Sequence, residues 1–167
     1  NPKEKPVEYA DIVYQQEAPF TTLAQEVTKT QKRFNRIDWC DDNFALLSES
    51  SRATRTKRIY SFKPCNGEMP KCIFDLSTDD NYNDPGSPCM VRNQYDRNVL
   101  YVDKNYSELL MISEGASPEG DMPFISKYNM AKNRNNIIWR CKAPYYESIY
   151  DVIDPKKLQI ITVRQSQ

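Results

Sequence analysis

The residues best placed for nucleophilic chemistry surround Ser117. The run Gly115-Ala116-Ser117-Pro118-Glu119 approaches the G-x-S-x-G pattern of a serine nucleophile on a sharp turn. A glutamate replaces the second glycine, and Pro118 lacks the backbone N–H that such a turn contributes to an oxyanion hole. The sequence also contains no histidine, so it cannot complete a Ser-His-Asp or Cys-His arrangement. We therefore predict that Ser117 is a loop serine and that this chain carries no catalytic residue.

Six carboxylates form a second group with chemical potential. Paired carboxylates can bind Ca²⁺, or they can act as the acid and base of a glycoside hydrolase. Prolines and glycines near these six place them in turns, where such side chains more often accept hydrogen bonds from backbone N–H groups. We therefore predict that they are structural loop carboxylates. The six residues are Asp79, Asp80, Asp84, Glu114, Glu119 and Asp121.

The five cysteines do not have the spacing of a metal site. No C-x-x-C pair is present, and without histidine a zinc site is not expected. Cys65 and Cys72 flank a turn-like segment and could face each other across a hairpin, although free thiols are the favoured interpretation. We predict no metal and no cofactor.

The overall composition argues against several classes of protein. Lys and Arg total 23, as do Asp and Glu, so zero net charge argues against nucleic acid or an anionic membrane surface as a partner. Four glycines are too few for a Gly-rich phosphate loop. No apolar run approaches the roughly 20 residues of a membrane span. The chain starts at Asn1 and ends at Gln167 without a visible signal peptide, and we expect it to be a piece of a longer protein.

Short apolar runs bounded by turn residues predict that the elements are strands. Each run has four to seven residues, and tyrosine and phenylalanine supply much of the apolar surface. Only the segment 21–33, with Leu23 and Val27, has a loosely helical pattern. We therefore predict an all-β fold. The predicted strands are 44–48, 57–62, 72–76, 98–102, 108–113, 123–128, 136–140 and 157–163.

An internal repeat predicts how the strands are arranged. Three groups recur at an offset of 65 residues: 47–49 on 112–114, 59–61 on 124–126, and 73–74 on 138–139. A period of this length with several strands per unit is typical of propeller blades. We predict part of a β-propeller with about two complete four-stranded blades and two partial ones, and self-association through its uncovered end faces. The expected limits are 1–30 for the end of one blade, 31–87 and 88–140 for two blades, and 141–167 for the start of another.

Five segments, in this order, carry a resemblance. They are Trp39-x-Asp41-Asp42 with 44–50; Thr54-Arg55 before Arg58-Ile59-Tyr60; 74–88, which includes Asp84-Pro85-Gly86-Ser87-Pro88; 114–124; and Ala143-Pro144-Tyr145-Tyr146-Glu147. Together they resemble the β-propeller of the glutamyl endopeptidase branch of the prolyl oligopeptidase family of serine peptidases. The third segment is the most specific, and the resemblance covers essentially the whole chain. Cys40 and the segment 50–53 depart from the family pattern.

The resemblance implies a role for this chain within a larger enzyme. In that family an N-terminal propeller covers a C-terminal α/β-hydrolase domain that carries the catalytic Ser, Asp and His. The chain would then be a non-catalytic fragment that filters peptide substrates, with its catalytic residues beyond Gln167. Its partners would be the missing hydrolase domain and the peptides that the parent cleaves after glutamate. A periplasmic or secreted location is also implied for the parent.

A basic run has two interpretations under this resemblance. One arginine could point into the substrate chamber and bind a carboxylate through its two-pronged guanidinium group. The alternative, which we favour, is a solvated face that pairs with local acids. The candidate substrate-binding residues are Arg55 first, then Arg52 and Arg58, with Lys57 in the same run.

Two other functions stay open. The chain could be a stand-alone, propeller-like module that binds a protein or a glycan. It could also be a glycoside hydrolase that uses a pair of its loop carboxylates.

Overall fold

The structure, a computed structural model, describes residues 8–64 and 68–165. Within these ranges the regular elements are all β-strands and no helix is present, so the all-β prediction is confirmed. None of the sheets formed by the described strands closes on itself. The described part of the chain accordingly has no helix with the length and apolar character needed to cross a membrane. The chain divides into two compact units, Asn1–Thr78 and Asp79–Gln167.

The first unit contains a two-stranded hairpin and a four-stranded antiparallel sheet. Its strands are β1 (Asp11–Gln15), β2 (Gln25–Thr30), β3 (Arg33–Asp41), β4 (Phe44–Ser51), β5 (Thr56–Phe62) and β6 (Lys71–Ser77). Strands β1 and β2 form the hairpin, and the sheet has the order β3-β4-β5-β6. Because consecutive strands are neighbours, short turns suffice to connect most of them.

The core of the first unit lies between the hairpin and one face of the sheet. Ala45, Leu47 and Phe62 are buried there, and Val13 and Val27 of the hairpin pack against them. Residues at alternate positions of β4 point to the same face, which is why Ala45 and Leu47 meet the same neighbours. Burial of these apolar side chains therefore holds the hairpin on the sheet.

The loosely helical pattern of 21–33 does not lead to a helix, in keeping with the all-β prediction. Residues 25–30 form β2, and Val27 packs in the core while Leu23 remains 92% exposed. Val27, Thr28 and Thr30 are β-branched, which favours an extended backbone. Pairing with β1 and contact with the sheet then outweigh the two apolar residues at helical spacing.

The second unit contains a four-stranded sheet and two hairpins. Its strands are β7 (Ser87–Pro88), β8 (Met90–Arg92), β9 (Asn98–Leu100), β10 (Glu108–Ser113), β11 (Phe124–Asn129), β12 (Arg134–Arg140), β13 (Tyr146–Asp154) and β14 (Gln159–Gln165). The sheet has the order β12-β11-β10-β7, and the hairpins are β8-β9 and β13-β14. All eight strands predicted from the sequence overlap strands of the two units.

The core of the second unit resembles that of the first. Leu110 and Ile125 of the sheet are buried with Cys89, and Val152 and Ile160 of the β13-β14 hairpin pack against them. Each unit therefore contains an antiparallel sheet with a hairpin packed on one of its faces. Burial raises the pKa of the Cys89 thiol to about 11, so the thiol stays protonated at neutral pH.

The described cysteines are free thiols. They are Cys40, Cys72, Cys89 and Cys141. The hairpin suggested for Cys65 and Cys72 involves a residue outside the described ranges.

The groups aligned by the 65-residue offset lie in corresponding strands. They fall in β4 and β10, β5 and β11, and β6 and β12, or at the ends of these strands. The units differ at the next position, where the nine-residue β3 corresponds in sheet order to the two-residue β7. The limits 31–87 and 88–140 stay a prediction.

Two glycines in the connection from β10 to β11 have positive φ angles but different surroundings. Gly115 has φ +66°, and a Cβ placed on it would lie 1.9 Å from the carbonyl oxygen of Met122. Gly120 has φ +113°, with no heavy atom within 4 Å of a Cβ placed there. Both positions strain a side-chain-bearing residue, but only Gly115 is also closely packed.

We expect Gly115→Ala to lower the free energy of unfolding by about 3 kcal/mol, because backbone strain adds to a steric overlap. Gly120→Ala should cost about 1 kcal/mol, from backbone strain alone. Urea unfolding followed by tryptophan fluorescence measures both values. Equal losses for the two variants would contradict the close approach of Gly115 to Met122.

Candidate functional site

A cleft in the first unit brings together most of the cationic residues near the β4-β5 turn. It has a volume of about 840 Å³, and Lys32, Arg33, Arg52 and Arg58 line it. The remaining lining residues are neutral: Ala10, Gln31, Asn35, Ser50, Ser51, Ala53 and Thr54. Because the described residues lining this basic cleft include no Asp or Glu, its wall suits an anionic ligand.

The antiparallel register explains why these residues meet. Arg33 at the start of β3 pairs with Ser50 near the end of β4, and Ser51 pairs with Thr56 at the start of β5. The β2-β3 and β4-β5 turns therefore lie at the same end of the sheet. Across this end, the Ser50 hydroxyl donates a hydrogen bond of 3.0 Å to Asn35 Oδ1.

Hydrogen bonds order the β4-β5 turn. The Thr54 N–H donates to Ser51 Oγ at 3.3 Å, and the Thr54 and Thr56 hydroxyls are 2.7 Å apart. Thr56 Oγ1 also accepts a hydrogen bond from Lys32 Nζ, which connects this turn to the β2-β3 turn. These bonds hold Lys32, Ser51 and Thr54 in place at this end of the cleft.

Arg58, one of the three predicted substrate-binding arginines, is occupied by contacts within the protein. Its Nε donates to Asp75 Oδ2 at 2.9 Å and its Nη1 donates to Gln31 Oε1 at 3.0 Å. Its Nη1 also lies 3.9 Å from Glu49 Oε1. The hydrogen bond with Asp75 raises the pKa of Arg58. Arg58 therefore cross-links the sheet to the β2-β3 turn.

Arg52 and Arg55 lie at different places on the β4-β5 turn. The side chain of Arg52 is exposed in the basic cleft, and no described residue forms a hydrogen bond or ion pair with it. Arg55 does not line the cleft, and its backbone has φ +51° and accepts a 2.8 Å hydrogen bond from the Thr78 N–H. The structure thus places Arg52 and Arg58 in the cleft and leaves Arg55 outside its lining.

A buried carboxylate, which sequence reasoning missed, supports the floor of this region. Glu49 is fully buried, and its Oε2 accepts hydrogen bonds from the N–H groups of Gln31 and Lys32 at 2.9 and 3.1 Å. Its Oε1 accepts the Tyr60 hydroxyl at 3.0 Å. Burial, together with this bond to Glu49, raises the pKa of Tyr60 to about 12. The 65-residue offset aligns Glu49 with Glu114, whose side chain is exposed, so the repeat alone does not distinguish them.

We expect Glu49→Ala to lower the free energy of unfolding by about 3 kcal/mol, because it leaves two backbone donors and the Tyr60 hydroxyl without their buried acceptor. Glu114→Ala, at the matched position of the repeat, should change it by less than about 0.5 kcal/mol. Urea unfolding monitored by circular dichroism tests the difference. Similar stabilities for both variants would rule out the supporting role of Glu49.

The predicted loop carboxylates differ in their contacts. Asp84 Oδ1 accepts the Gly86 N–H at 2.8 Å. Asp80 accepts the Asn83 side-chain N–H at 2.7 Å and its backbone N–H at 3.2 Å, which lowers the pKa of Asp80. Asp79 directly follows Thr78, the last residue of the first unit. The side chains of Glu114, Glu119 and Asp121 are exposed. Among the described residues no group of three or more His, Cys, Asp or Glu side chains is arranged to hold a metal ion.

Ser117 closes its own turn. Its hydroxyl donates to the Gly120 carbonyl at 2.6 Å, and its Oγ accepts the Glu119 N–H at 3.3 Å. The Ser117 hydroxyl, in the run that approaches G-x-S-x-G, is therefore hydrogen-bonded to the local backbone rather than to a general base.

Asp103 is a loop carboxylate that the sequence interpretation did not single out. Its Oδ1 accepts the N–H groups of Ser107 and Glu108 at 2.6 Å each. Its Oδ2 accepts the Ser107 hydroxyl at 2.9 Å and the Asn105 N–H at 3.2 Å. Burial alone would raise the pKa of Asp103, but these hydrogen bonds outweigh it and lower the pKa. The carboxylate form thus organises the loop that leads into β10.

The lowered pKa of Asp103 predicts a stability that depends on pH. Since the folded pKa is below the unfolded value of about 3.9, the carboxylate stabilises the folded chain above that pH. This stabilisation should disappear as the pH falls through the folded pKa. Asp103→Asn should therefore lose stability mainly at neutral pH and show a shallower decline in acid. Thermal unfolding between pH 7 and pH 2 measures this, and parallel curves for both proteins would contradict it.

Comparison with known proteins identifies two related plant sequences. The chain is 32% identical over 172 residues to a protein of Oryza sativa subsp. japonica named probable glutamyl endopeptidase, chloroplastic. It is 31% identical over 173 residues to a protein of the same name from Arabidopsis thaliana. Each alignment covers 94% of this chain but only 18% of the relative. No family model matches the chain, and no solved structure matches it with significance. The chain is therefore related to a limited segment of proteins named as peptidases.

Proposed function

We propose that this chain is a non-catalytic β-propeller segment of a serine peptidase of the prolyl oligopeptidase family that cleaves after glutamate. The observation that carries the proposal is the similarity of 94% of the chain to 18% of each of two proteins named glutamyl endopeptidase. In the parent, the segment would cover the α/β-hydrolase domain and admit peptides while excluding folded proteins. The hydrolase domain would be its partner.

The architecture of the two units supports the propeller part of this proposal. Propeller blades are four-stranded antiparallel sheets that pack face to face around a ring. Each unit has one four-stranded sheet with a hairpin on one of its faces. In the proposed arrangement these hairpins, β1-β2 and β13-β14, belong to partial blades. The correspondence of β4-β5-β6 with β10-β11-β12 at a constant sequence offset agrees with a repeated blade.

The chemistry of the chain supports a non-catalytic role. Acyl transfer by a serine peptidase requires a base to activate the serine, and this role usually belongs to histidine. Histidine is absent from the sequence, and the Ser117 hydroxyl is bonded to its own turn. In the proposed enzyme, the nucleophile and its base come from the hydrolase domain of the parent.

A serine-reactive fluorophosphonate probe tests the proposal. The full-length parent should be labelled and should hydrolyse a glutamate-containing peptide, whereas the 167-residue chain should do neither. Ser117→Ala in the parent is the matched control and should leave labelling unchanged. Labelling of the isolated chain, or a parent that the probe does not label, would refute the proposal. An unlabelled gene product that ends near residue 167 would instead favour a stand-alone module that binds a protein or a glycan.

A further inference from the structure

One guanidinium group of the basic cleft has no hydrogen-bond or ion-pair partner among the described residues. Arg58 is bonded to Asp75 and Gln31, and its side chain is only 27% exposed. Arg33 is paired with Asp11, with 2.8 Å between Nη1 and Oδ1. No described residue neutralises Arg52. Arg52 is therefore the arginine of the cleft that can offer all its donors to a ligand.

We propose that Arg52 binds the side-chain carboxylate of a glutamate-containing peptide in the basic cleft, with Lys32 as a second cation on the cleft wall. This inference rests on the proposed peptidase function and names the substrate group that this part of the segment recognises. Guanidinium and carboxylate groups match in two parallel N–H···O hydrogen bonds, which distinguish a carboxylate from a neutral amide of the same shape.

The surroundings of Arg52 suit this role. Lys32 Nζ is held by the Thr56 hydroxyl, a neutral partner, so its positive charge remains available to the cleft. The Asp11 carboxylate, in contrast, is held by Arg33 and by the Phe34 N–H, both at 2.8 Å. The hydrogen bond from Phe34 contributes most to lowering the pKa of Asp11, which keeps it ionised and paired with Arg33. The uncompensated positive charge of the cleft is thus concentrated on Arg52 and Lys32.

The size and composition of the cleft fit part of a peptide. Its volume of about 840 Å³ lies within the range of about 300–1,000 Å³ that is usual for small-ligand sites. Ser50, Ser51, Thr54 and Asn35 provide neutral hydrogen-bonding groups around the two cations. A cationic peptide side chain would meet like charge here, whereas an acidic one would meet complementary charge.

This inference differs from the sequence prediction in its choice of residue. Arg55 was the first candidate from the sequence, but it does not line the cleft. Its backbone carbonyl accepts the Thr78 N–H, next to the end of β6. Arg55 is therefore assigned to the turn itself, and Arg52 to the ligand.

Hydrolysis of two matched peptides by the full-length parent tests the proposal. The peptides are acetyl-Leu-Leu-Glu and acetyl-Leu-Leu-Gln, each joined to aminomethylcoumarin. Arg52→Ala should lower kcat/KM for the glutamate peptide by about tenfold, mainly through KM, and change it by less than about twofold for the glutamine peptide. Arg52→Lys should recover part of the loss, because it keeps the charge without the paired donors.

Two arginine variants are controls. Arg36→Ala removes an exposed arginine of the same unit that pairs with Asp38 at 2.9 Å and does not line the cleft. Arg55→Ala removes the arginine on the same turn. Both should leave the ratio of the two kcat/KM values unchanged. The proposal is overturned if Arg52→Ala does not change that ratio, or if Arg55→Ala changes it more.

A binding measurement separates failure of this inference from failure of the proposed function. A parent that cleaves neither peptide refutes the peptidase function. Fluorescence anisotropy then measures binding of a fluorescein-labelled peptide with several glutamates to the unmodified parent, Arg52→Ala and Arg36→Ala. This measurement tests the proposed site. A loss of binding in Arg52→Ala but not in Arg36→Ala supports it, and equal binding by all three proteins overturns it.

Discussion

The buried carboxylate of Glu49 is the interaction on which the arrangement of the first unit depends. A charge cannot leave water without several partners, and Glu49 obtains them from Gln31, Lys32 and Tyr60. Two of these partners are backbone N–H groups of the β2-β3 turn, and Glu49 itself lies on β4. One side chain therefore joins the end of the hairpin to the middle of the sheet. The apolar contacts of Val13 and Val27 hold the hairpin on the sheet, and the directional bonds to Glu49 specify its position.

The same constraint shapes the basic cleft. With Glu49 holding the β2-β3 turn against the sheet, Lys32 and Arg33 lie at the end of the sheet where the β4-β5 turn carries Arg52. Arg58 donates hydrogen bonds to Asp75 and Gln31 and lies close to Glu49, so its positive charge is paired within the protein. The arginines of the cleft thus differ in their ion pairs: Arg33 pairs with Asp11, and Arg58 pairs with Asp75. Among the described residues, no carboxylate pairs with Arg52.

Many of the strands could be predicted from the sequence, and particular residues show why the others could not. Runs such as 44–48 and 108–113 are apolar and bounded by turn residues, so their strands could be predicted without tertiary information. The hairpin strand β2 could not, because its single inward valine becomes informative only when β1 and the sheet lie beside it. Short strands such as β7 have too few residues to show a pattern. At the site, the sequence marked Arg55, Arg52 and Arg58 as candidates. It could not show that Arg52 and Arg58 line the cleft while Arg55 does not, since nearby cations look alike in one dimension.

The sequence by itself determined the strand-forming character of the chain, the 65-residue offset and the lack of a histidine-based catalytic group. These properties depend on residue type and local spacing, which are complete in the sequence. Only the tertiary structure decided that Glu49 is buried while Glu114 is exposed, and that Arg58 is paired while no described residue pairs with Arg52. Burial and pairing depend on which distant segments meet: the partners of Glu49 come from positions up to 18 residues away, and Arg58 reaches Gln31 across 27. Such long-range contacts set the solvation and charge of each side chain, and those quantities are not encoded in local spacing.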